Sequence, residues 1–301
     1  MIKIPPYLKK GDTIGITCPA GYLEKGKTAA CIQTLQQWGF EVMLGKTLES
    51  SSHNYFSGTD EQRLNELQAM LDDDSIKAIL CGRGGYGIGR IIDAIDFSRF
   101  KRKPKWIIGF SDITVLHSHL NSKLKIASLH APMVAAFMDG ENEYIQSFQK
   151  AIFGKKIKYP CTKHVLNKEG TATGELVGGN LSLLTTLIGT PSDINTKKKI
   201  LFIEDISEYI YSIDRMCYQL KRSGKLETLA GLIVGGFTEI KDTTRPFGKT
   251  VYEAIHDIVK EYNYPVCFDF PVSHGAANYA LKVGLQYQLK ITNKSVSLSE
   301  L

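Results

Sequence analysis

Short apolar segments alternate with helix-like segments through the first half of the chain. β-prone runs occupy 13–17, 40–44, 76–80 and 105–110, and the stretches between them place apolar residues at helical spacing. Strands and helices that alternate in this way bury their apolar residues best in a parallel sheet covered by helices. The alternation therefore predicts an α/β fold, with a doubly wound parallel sheet over roughly residues 1–150.

The periodicity is lost over residues 153–173, where lysine, glycine and proline become frequent. Such a change of composition is typical of a domain boundary. We expect an N-terminal domain over 1–155, a linker over 156–172 and a smaller C-terminal α/β domain over 173–301. Apolar runs in the last domain predict strands at 200–204, 231–235 and 266–270, and helices are expected near 180–188, 211–222 and 249–261.

Composition and charge exclude several classes of function. Hydrophobic residues make up 43% of the chain, charged residues 23%, and the formal net charge is +6, which is ordinary for a globular protein. The densest basic runs, 101–103 and 197–199, fall between predicted elements, so we expect no nucleic-acid partner. No apolar run approaches the ~20 residues that span a bilayer. The chain's first residues also lack the apolar core of a signal peptide, so we expect no membrane association.

Six cysteines are scattered along the chain without a C-x-x-C pair. Structural zinc sites usually contain such closely spaced pairs, so we expect no metal. Scattered cysteines without a disulfide framework are typical of proteins kept in a reducing compartment. We therefore expect a cytoplasmic protein.

Ser111 lies where the predicted strand 105–110 turns into a helix. A side chain at this point is held at the carboxyl end of the strand, where open α/β sheets bind ligands. The backbone N–H of Asp112 would face negative charge that develops beside the serine. The turn is similar to the nucleophile elbow of serine hydrolases, although G-x-S-x-G is only half present. The alternative is that Ser111 simply caps the helix, as serines often do.

A glycine-rich turn follows the predicted strand 76–80. Gly82, Gly84 and Gly87 literally satisfy G-x-G-x-x-G, which predicts a dinucleotide site when it joins the first strand and helix of a sheet. In that reading Asp112 would bind the ribose. Here the motif lies in a later strand–helix unit and is crowded by two further glycines. The same turn could instead supply a backbone N–H to an oxyanion hole beside Ser111.

An acid and a histidine follow two strands of the second half. Glu204 ends the apolar run 200–204, and His274 lies in a loop between Pro271 and Gly275. Together with Ser111 they appear in the order Ser, Glu, His, each at the end of a predicted strand. This is the set needed for nucleophilic acyl transfer, in which the histidine removes the serine proton and the acid orients the histidine. The alternative is three unrelated residues: a helix cap, a surface carboxylate and a core histidine.

Eight stretches of the chain resemble the L,D-carboxypeptidases, the serine peptidase family that includes murein tetrapeptide carboxypeptidase and the microcin C immunity protein. They run in order through nearly the whole chain, so together they are far more specific than any single motif. The matching stretches are 11–21, 83–87, 109–114, 130–133, 174–181, 202–205, 213–215 and 271–275.

The resemblance implies Ser111 as nucleophile, His274 as general base and Glu204 as the acid that orients it. It also implies an oxyanion hole formed by the N–H of Asp112 and an N–H of the glycine-rich turn, which we assign to Gly85. We expect two further residues of this turn to bind substrate, with the first as cation for the substrate carboxylate. These two residues are Arg83 and Gly84.

The family's fold is a Rossmann- or flavodoxin-like N-terminal domain joined to a smaller α/β domain, which agrees with the predicted boundary. The resemblance places the site between these domains, in a homodimer that needs no cofactor. The implied reaction releases the terminal D-alanine of a murein tetrapeptide during cytoplasmic peptidoglycan recycling. Arg215, inside a predicted helix, could reach Glu204 or Asp205.

Three other functions stay open at this point. Microcin-type members hydrolyse aminoacyl adenylates and need an aromatic platform for the base. Both tryptophans, Trp38 and Trp106, lie in predicted core elements, but Tyr209 and Tyr211 could serve. The other two are a nucleotide-dependent oxidoreductase and a muropeptide-binding protein without catalysis.

Overall fold

The computed structural model describes residues 2–48, 50, 53–140 and 142–301, without the side chain of Asp139. The strands are β1 (Thr13–Thr17), β2 (Glu41–Leu44), β3 (Ile76–Cys81), β4 (Trp106–Gly109), β5 (Ser128–His130), β6 (Lys158–Cys161), β7 (Gly170–Asn180), β8 (Ile200–Ile206), β9 (Gly231–Thr238), β10 (Val266–Phe270), β11 (Leu281–Val283), β12 (Gln286–Ile291) and β13 (Val296–Glu300).

The α-helices are α1 (Ala29–Gln37), α2 (Asp60–Asp72), α3 (Ile88–Ile91), α4 (Ser98–Arg102), α5 (Thr114–His119), α6 (Glu143–Ile152), α7 (Leu181–Thr186), α8 (Ile210–Arg222) and α9 (Val251–Val259). Short 3-10 helices lie at Ile92–Ala94, Ser111–Ile113 and Val134–Asp139, and a π-helical turn lies at Leu120–Leu124. A capping box formed by Thr59 and Gln62 begins α2.

The described chain divides into two compact units. The first contains Met1–Lys155 and Tyr279–Lys282, and the second contains Lys156–Asn278 and Val283–Leu301. The short return of the chain to the first unit near its end adds β11 to the first sheet. Nothing in the sequence pattern predicts this return.

The first unit is built on a sheet with strand order β2-β1-β3-β4-β5-β11. β1 to β5 are parallel, which confirms the predicted α/β class, and their order is the flavodoxin-like one. The register pairs Thr17 with Cys81 and Gly109 with His130, so these strands end at the same edge of the sheet. The loops that follow β1, β3 and β4 therefore lie side by side.

The second unit is built on a mixed sheet with strand order β10-β9-β8-β7-β12-β13-β6. The first four strands are parallel, and β12, β13 and β6 continue the sheet in antiparallel pairs. Its core is formed by apolar side chains that include Val177, Ile203, Val234, Ile213 and Ile255, which lie on strands and on α8 and α9. The predicted strands and helices of this half are all present.

The expected linker over 156–172 differs from the structure, because β6 lies inside it and β7 begins at Gly170. β6 is an edge strand, where a proline such as Pro160 is tolerated although it weakens the sequence signal. β7 is rich in glycine, which is depleted in strands. Its Gly178 lies so close to β8 that a Cβ atom would be 1.9 Å from the Phe202 carbonyl oxygen. Glycine here serves close strand packing.

Candidate active site

Ser111 stands at a left-handed turn directly after β4. Its φ is +63°, a conformation that costs an L-residue about 1–2 kcal/mol, and residues strained in this way cluster at functional sites. A 3-10 turn begins at Ser111 and passes into α5. Neither helix start carries a side-chain cap bond, so the helix-capping alternative for Ser111 does not describe this turn. The geometry is that of a strained strand-to-helix elbow with a half-buried hydroxyl.

The glycine-rich turn after β3 packs directly against this elbow. A Cβ atom added to Gly84 would lie 2.7 Å from Ser111 Cβ, 3.0 Å from Ser111 Oγ and 3.3 Å from the Asp112 nitrogen. Gly84 is buried, whereas Gly85 is exposed and has a φ of +92°. The structure therefore places Gly84 beside the serine and the Asp112 N–H. Glycine leaves the space there open.

The carboxylate of Asp112 ties the elbow to the same turn. Its Oδ2 atom accepts a hydrogen bond of 2.8 Å from the N–H of Ile88, at the start of α3. The side chain is fully buried, and burial raises the pKa of Asp112 to about 6, against the opposing effects of the Ile88 N–H and the charge of Arg63. Its Oδ1 atom has no hydrogen-bond partner among the described residues. The sequence pattern suggested an oxyanion role for the backbone N–H and a ribose as the alternative partner of the side chain, and it did not predict the bond to Ile88.

Arg63 supports the turn from the opposite side. It is fully buried and donates hydrogen bonds of 2.7 Å to the carbonyl of Pro19 and 3.1 Å to the carbonyl of Gly87. Its charge is balanced by an ion pair with Asp60. Arg63 thus joins the loop after β1 to the glycine-rich turn. Its position on α2, among charged neighbours, gave no sequence signal of this role.

His117 holds the strand end that precedes the serine. Its Nε2 atom lies 2.8 Å from the Gly109 carbonyl, and its Nδ1 atom lies 2.8 Å from the Ser128 hydroxyl. Because a carbonyl only accepts, the proton is on Nε2, and Ser128 donates to Nδ1. Burial lowers the pKa of His117 to about 4, so the ring stays neutral near pH 7. His119 lies further along α5 and stacks on the ring of Phe97.

Glu204 and His274 form a buried pair in the second unit. His274 Nδ1 lies 2.6 Å from Glu204 Oε2, Glu204 is fully buried, and the His274 side chain is 11% exposed. Burial by itself lowers the pKa of His274, but the hydrogen bond and charge of Glu204, with the charges of Asp205 and Glu239, outweigh it and raise this pKa. The carboxylate accepts from Nδ1–H, which fixes the tautomer that leaves Nε2 as the basic nitrogen.

Two glycines on β9 allow this pair to form. A Cβ atom on Gly235 would lie 2.3 Å from the Val272 carbonyl oxygen and 3.2 Å from Glu204 Cβ. A Cβ atom on Gly236 would lie 2.6 Å from Ser273 Cβ. The loop that carries His274 can therefore approach β8 only across a strand without side chains at these positions. The sequence signal was present as Gly-Gly within an apolar run, but strand periodicity alone does not reveal its purpose.

Asp205, the neighbour of Glu204, has a structural role. Its carboxylate accepts hydrogen bonds of 2.8 Å from Asn180 Nδ2 and 2.9 Å from the N–H of Ser182. Asn180 in turn caps α7 by accepting from the N–H of Leu183. Burial raises the pKa of Asp205, partly offset by these hydrogen bonds. Glu204, and not Asp205, is therefore the acid that is hydrogen-bonded to His274.

Of the two candidate arginines, Arg215 is not placed where the sequence suggested. Arg83 is exposed and donates to the backbone carbonyl of Tyr22 in the first unit. Arg215 donates to Ser212 Oγ at 3.3 Å and lies over the ring of Tyr211. In the described part of the chain it makes no ion pair with Glu204 or Asp205, because it projects from the exposed side of α8.

The glycine-rich turn does not fit a dinucleotide. A Cβ atom on Gly82 would meet Cys18 Sγ at 2.6 Å, and one on Gly87 would meet Arg63 Nη1 at 2.7 Å, so these glycines serve packing within the protein. Asp112 is bonded to Ile88 and buried, which withdraws it from a ribose. Among the described residues, no group of three or more His, Cys, Asp or Glu is arranged to hold a metal ion.

Both units match models of one protein family. Residues 14–131 match the LD-carboxypeptidase N-terminal domain, and residues 173–289 match the LD-carboxypeptidase C-terminal domain. The fold and these matches define a two-domain serine-type carboxypeptidase. The chain belongs to the LD-carboxypeptidase family. No helix in the described residues is long and apolar enough to cross a membrane.

The chain is also similar to individual proteins over nearly its full length. The chain is 37% identical to the probable murein peptide carboxypeptidase of Bacillus subtilis, over 97% of this chain and 92% of that protein. It is 27% identical to the microcin C7 self-immunity protein of Escherichia coli, over 97% and 94% of the two chains. The crystal structure of muramoyltetrapeptide carboxypeptidase from Oxalobacter formigenes superposes with a TM-score of 0.84 at 28% identity, covering 96% of this chain and 98% of that one.

Proposed function

We propose that the protein is an L,D-carboxypeptidase that releases the terminal D-alanine from a murein tetrapeptide by a serine mechanism. The left-handed elbow at Ser111 carries this proposal, because a strained serine at a strand end is what a positioned nucleophile requires. The buried Glu204–His274 pair supplies the base that such a serine needs. The relatives named for murein peptides supply the substrate class.

The reaction begins with attack of Ser111 Oγ on the carbonyl carbon of the diamino acid that precedes D-alanine. His274 takes the hydroxyl proton on Nε2 while Glu204 stabilises the imidazolium that forms. The N–H groups of Asp112 and of Gly85 or its neighbour hold the oxyanion. When the tetrahedral intermediate collapses, the imidazolium gives its proton to the leaving amine, and D-alanine departs. A water molecule, deprotonated by His274, then hydrolyses the acyl-enzyme.

Arg83 is the proposed cation for the free carboxylate of the substrate. It lies in the turn that packs against Ser111, and its side chain is exposed while one donor is anchored on the Tyr22 carbonyl. A guanidinium has five N–H donors, so its other N–H groups can bind a carboxylate. Arg83→Gln is expected to raise KM much more than it lowers kcat.

The deciding experiment measures D-alanine release from L-Ala-γ-D-Glu-meso-diaminopimelyl-D-Ala by wild type and by Ser111→Ala. We expect release by the wild type and a loss of roughly 10³-fold or more in the variant. Ser98→Ala, an exposed serine on α4, is the matched control and is expected to keep full activity. Equal rates for Ser111→Ala and wild type would refute the mechanism. Binding of the peptide without release by either protein would favour a muropeptide-binding function.

One observation keeps a second candidate, hydrolysis of an aminoacyl adenylate. Trp38 and Trp106 are buried, as expected, and so offer no platform for adenine. Tyr209 and Tyr211 are exposed at the start of α8, with ring centroids 5.5 Å apart, and Arg215 lies over one of them. Cleavage of an aminoacyl sulfamoyl adenosine at a higher kcat/KM than the murein peptide would favour this candidate.

We further propose that the protein acts in the cytoplasm as a homodimer. The six cysteines are all free thiols, which supports a reducing location. The dimer rests on the family resemblance, and sedimentation of the purified protein at micromolar concentration tests it. A protein that sediments as a monomer at micromolar concentration would contradict the proposed homodimer.

A further inference from the structure

Two cysteines of the second unit have their thiols in contact. Cys161 Sγ lies 3.9 Å from Cys267 Sγ. Cys161 is the last residue of β6, and Cys267 is the second residue of β10. They are separated by most of the second unit in sequence, so the contact is made by the fold and not by local chain geometry.

The contact joins the two ends of one sheet. β10 and β6 are the first and last strands in the order of the seven-stranded sheet. Between them lies a small bridge, in which the Lys168 N–H donates 2.9 Å to the Val266 carbonyl and the Val266 N–H donates 3.2 Å to the Lys168 carbonyl. Asn167 Oδ1 also accepts from the N–H of Phe268. These backbone bonds link the two edges, and the thiol pair lies beside them.

The two thiols differ in exposure and acidity. Cys161 is partly exposed, and its Sγ also contacts the carbonyls of Thr162 and Asp269. Cys267 is fully buried. The hydrogen bond from Cys267 lowers the pKa of Cys161, and the same bond together with burial raises the pKa of Cys267 well above its usual value. One thiol is thus partly exposed and has a lowered pKa, and the second thiol lies directly behind it.

We propose that Cys161 and Cys267 are a redox modification site that forms a reversible disulfide, closing the open ends of the second sheet. The oxidant is a small disulfide of the glutathione type. A shift of about 1 Å by each sulfur would bring the pair from 3.9 Å to the ~2.0 Å of a disulfide bond. This proposal does not depend on the catalytic function.

The chemistry is thiol–disulfide exchange in two steps. The Cys161 thiolate attacks one sulfur of the small disulfide, forms a mixed disulfide and releases one small thiolate. Cys267, after losing its proton, attacks Cys161 Sγ and releases the second small thiolate. The protein loses two hydrogens and two electrons, and the small disulfide gains them as two thiols. Because the high pKa of Cys267 keeps its thiolate scarce, the second step is expected to be the slower one.

The test incubates the intact protein with oxidised glutathione and follows its mass and disulfide-linked peptides over time. We expect transient addition of one glutathionyl group, then its loss with formation of a link between residues 161 and 267. In Cys267→Ala the reaction should stop at the mixed disulfide on Cys161, and Cys161→Ser should prevent the link. Cys217→Ala, which removes a buried thiol of α8, is the matched control and should behave as wild type.

Thermal unfolding supplies the second readout. The disulfide closes a loop of about 100 residues, so the oxidised wild type should unfold about 5 °C or more above the reduced protein. Dithiothreitol should reverse this shift, and Cys161→Ser should show none. A link that involves any other cysteine, a mixed disulfide in wild type that never resolves, or a cross-linked protein with an unchanged Tm would each overturn the proposal.

Discussion

Replacing Gly84 with alanine tests whether the oxyanion is held between the glycine-rich turn and the elbow. The new Cβ would lie 2.7 Å from Ser111 Cβ, where ordinary contacts begin at 3.4 Å. The turn or the serine must therefore move by about 0.7 Å, because the packed interior has little room to absorb it. The same Cβ would also lie 3.0 Å from Ser111 Oγ and 3.3 Å from the Asp112 nitrogen, in the space proposed for the oxyanion.

The expected loss follows from these distances. A misplacement of about 1 Å in an active site can lower a rate by about 10²-fold. Loss of one oxyanion donor costs about 10²–10³ in kcat. We therefore expect kcat/KM of Gly84→Ala for D-alanine release to fall by about 10²-fold or more, mostly in kcat. Gly84 is not among the described glycines with positive φ, so its backbone accepts alanine and the loss is steric.

Gly89→Ala is the matched control, because no heavy atom lies within 4 Å of the Cβ that it adds on α3. It is expected to keep the kcat/KM of wild type and to gain up to about 1 kcal/mol of stability from the better helix propensity of alanine. Circular dichroism and thermal unfolding establish that both variants are folded. A folded Gly84→Ala with kcat/KM within about threefold of wild type would refute the assignment of this space to the oxyanion.

Three further outcomes are expected. kcat/KM should rise with pH as His274 loses its proton, with a midpoint above the ordinary histidine pKa of about 6.5. Glu204→Gln should move this midpoint to lower pH, and an unmoved midpoint would contradict the pairing of Glu204 with His274. Asp112→Asn should be more stable than wild type at pH 8, because the raised pKa makes ionised Asp112 cost up to roughly 3 kcal/mol above pH 6. Denaturant unfolding measured over a range of pH should show this difference in stability shrinking below pH 6. Gly235→Ala should separate the His274 loop from Glu204, because the new Cβ would lie 2.3 Å from the Val272 carbonyl oxygen. We expect kcat to fall by about 10²-fold or more as a result, and a folded variant with wild-type kinetics would contradict this.

The sign of the Asp112 effect follows from proton binding. The folded carboxyl has a pKa of about 6, while the unfolded one has the ordinary value of about 3.9. Between these values the folded state binds more protons, so the free energy of unfolding falls as pH rises through this window. Subtracting the curve of Asp112→Asn removes the contributions of the other carboxyls.

Local periodicity predicted much of the fold because each early strand and helix carries its own pattern. The elements of the first unit up to β4 lie close to their expected positions, and so do β8, β9 and β10. β12 was missed although Tyr287, Leu289 and Ile291 alternate and are buried, a period-two signal that was available. β7 and β11 have no comparable sequence signal, since a glycine-rich strand and a three-residue strand are defined by the strands that they pair with.

Some residues of the candidate site could likewise be predicted from the sequence, and others could not. Ser111, Glu204 and His274 could be proposed from sequence because each follows an apolar strand and because the resemblance joined them. The roles of His117 and of the Asp112 carboxylate could not, since both act on backbone groups that only the folded chain brings near. A buried histidine bonded to a carbonyl and a hydroxyl looks in sequence like any polar residue in an apolar helix.

The contacts around Ser111 explain how a left-handed serine persists. Its strain of about 1–2 kcal/mol must be outweighed by neighbours that fix the chain on both sides. His117 holds the carbonyl of Gly109 before the serine, the Asp112 carboxylate holds the turn at Ile88 after it, and Gly84 closes against its side. Two of these three restraints are buried hydrogen bonds, whose strength depends on direction as well as distance. Substitutions that loosen them are therefore expected to lower kcat before they unfold the protein, because the serine can relax to an ordinary conformation while the sheet beneath it stays intact.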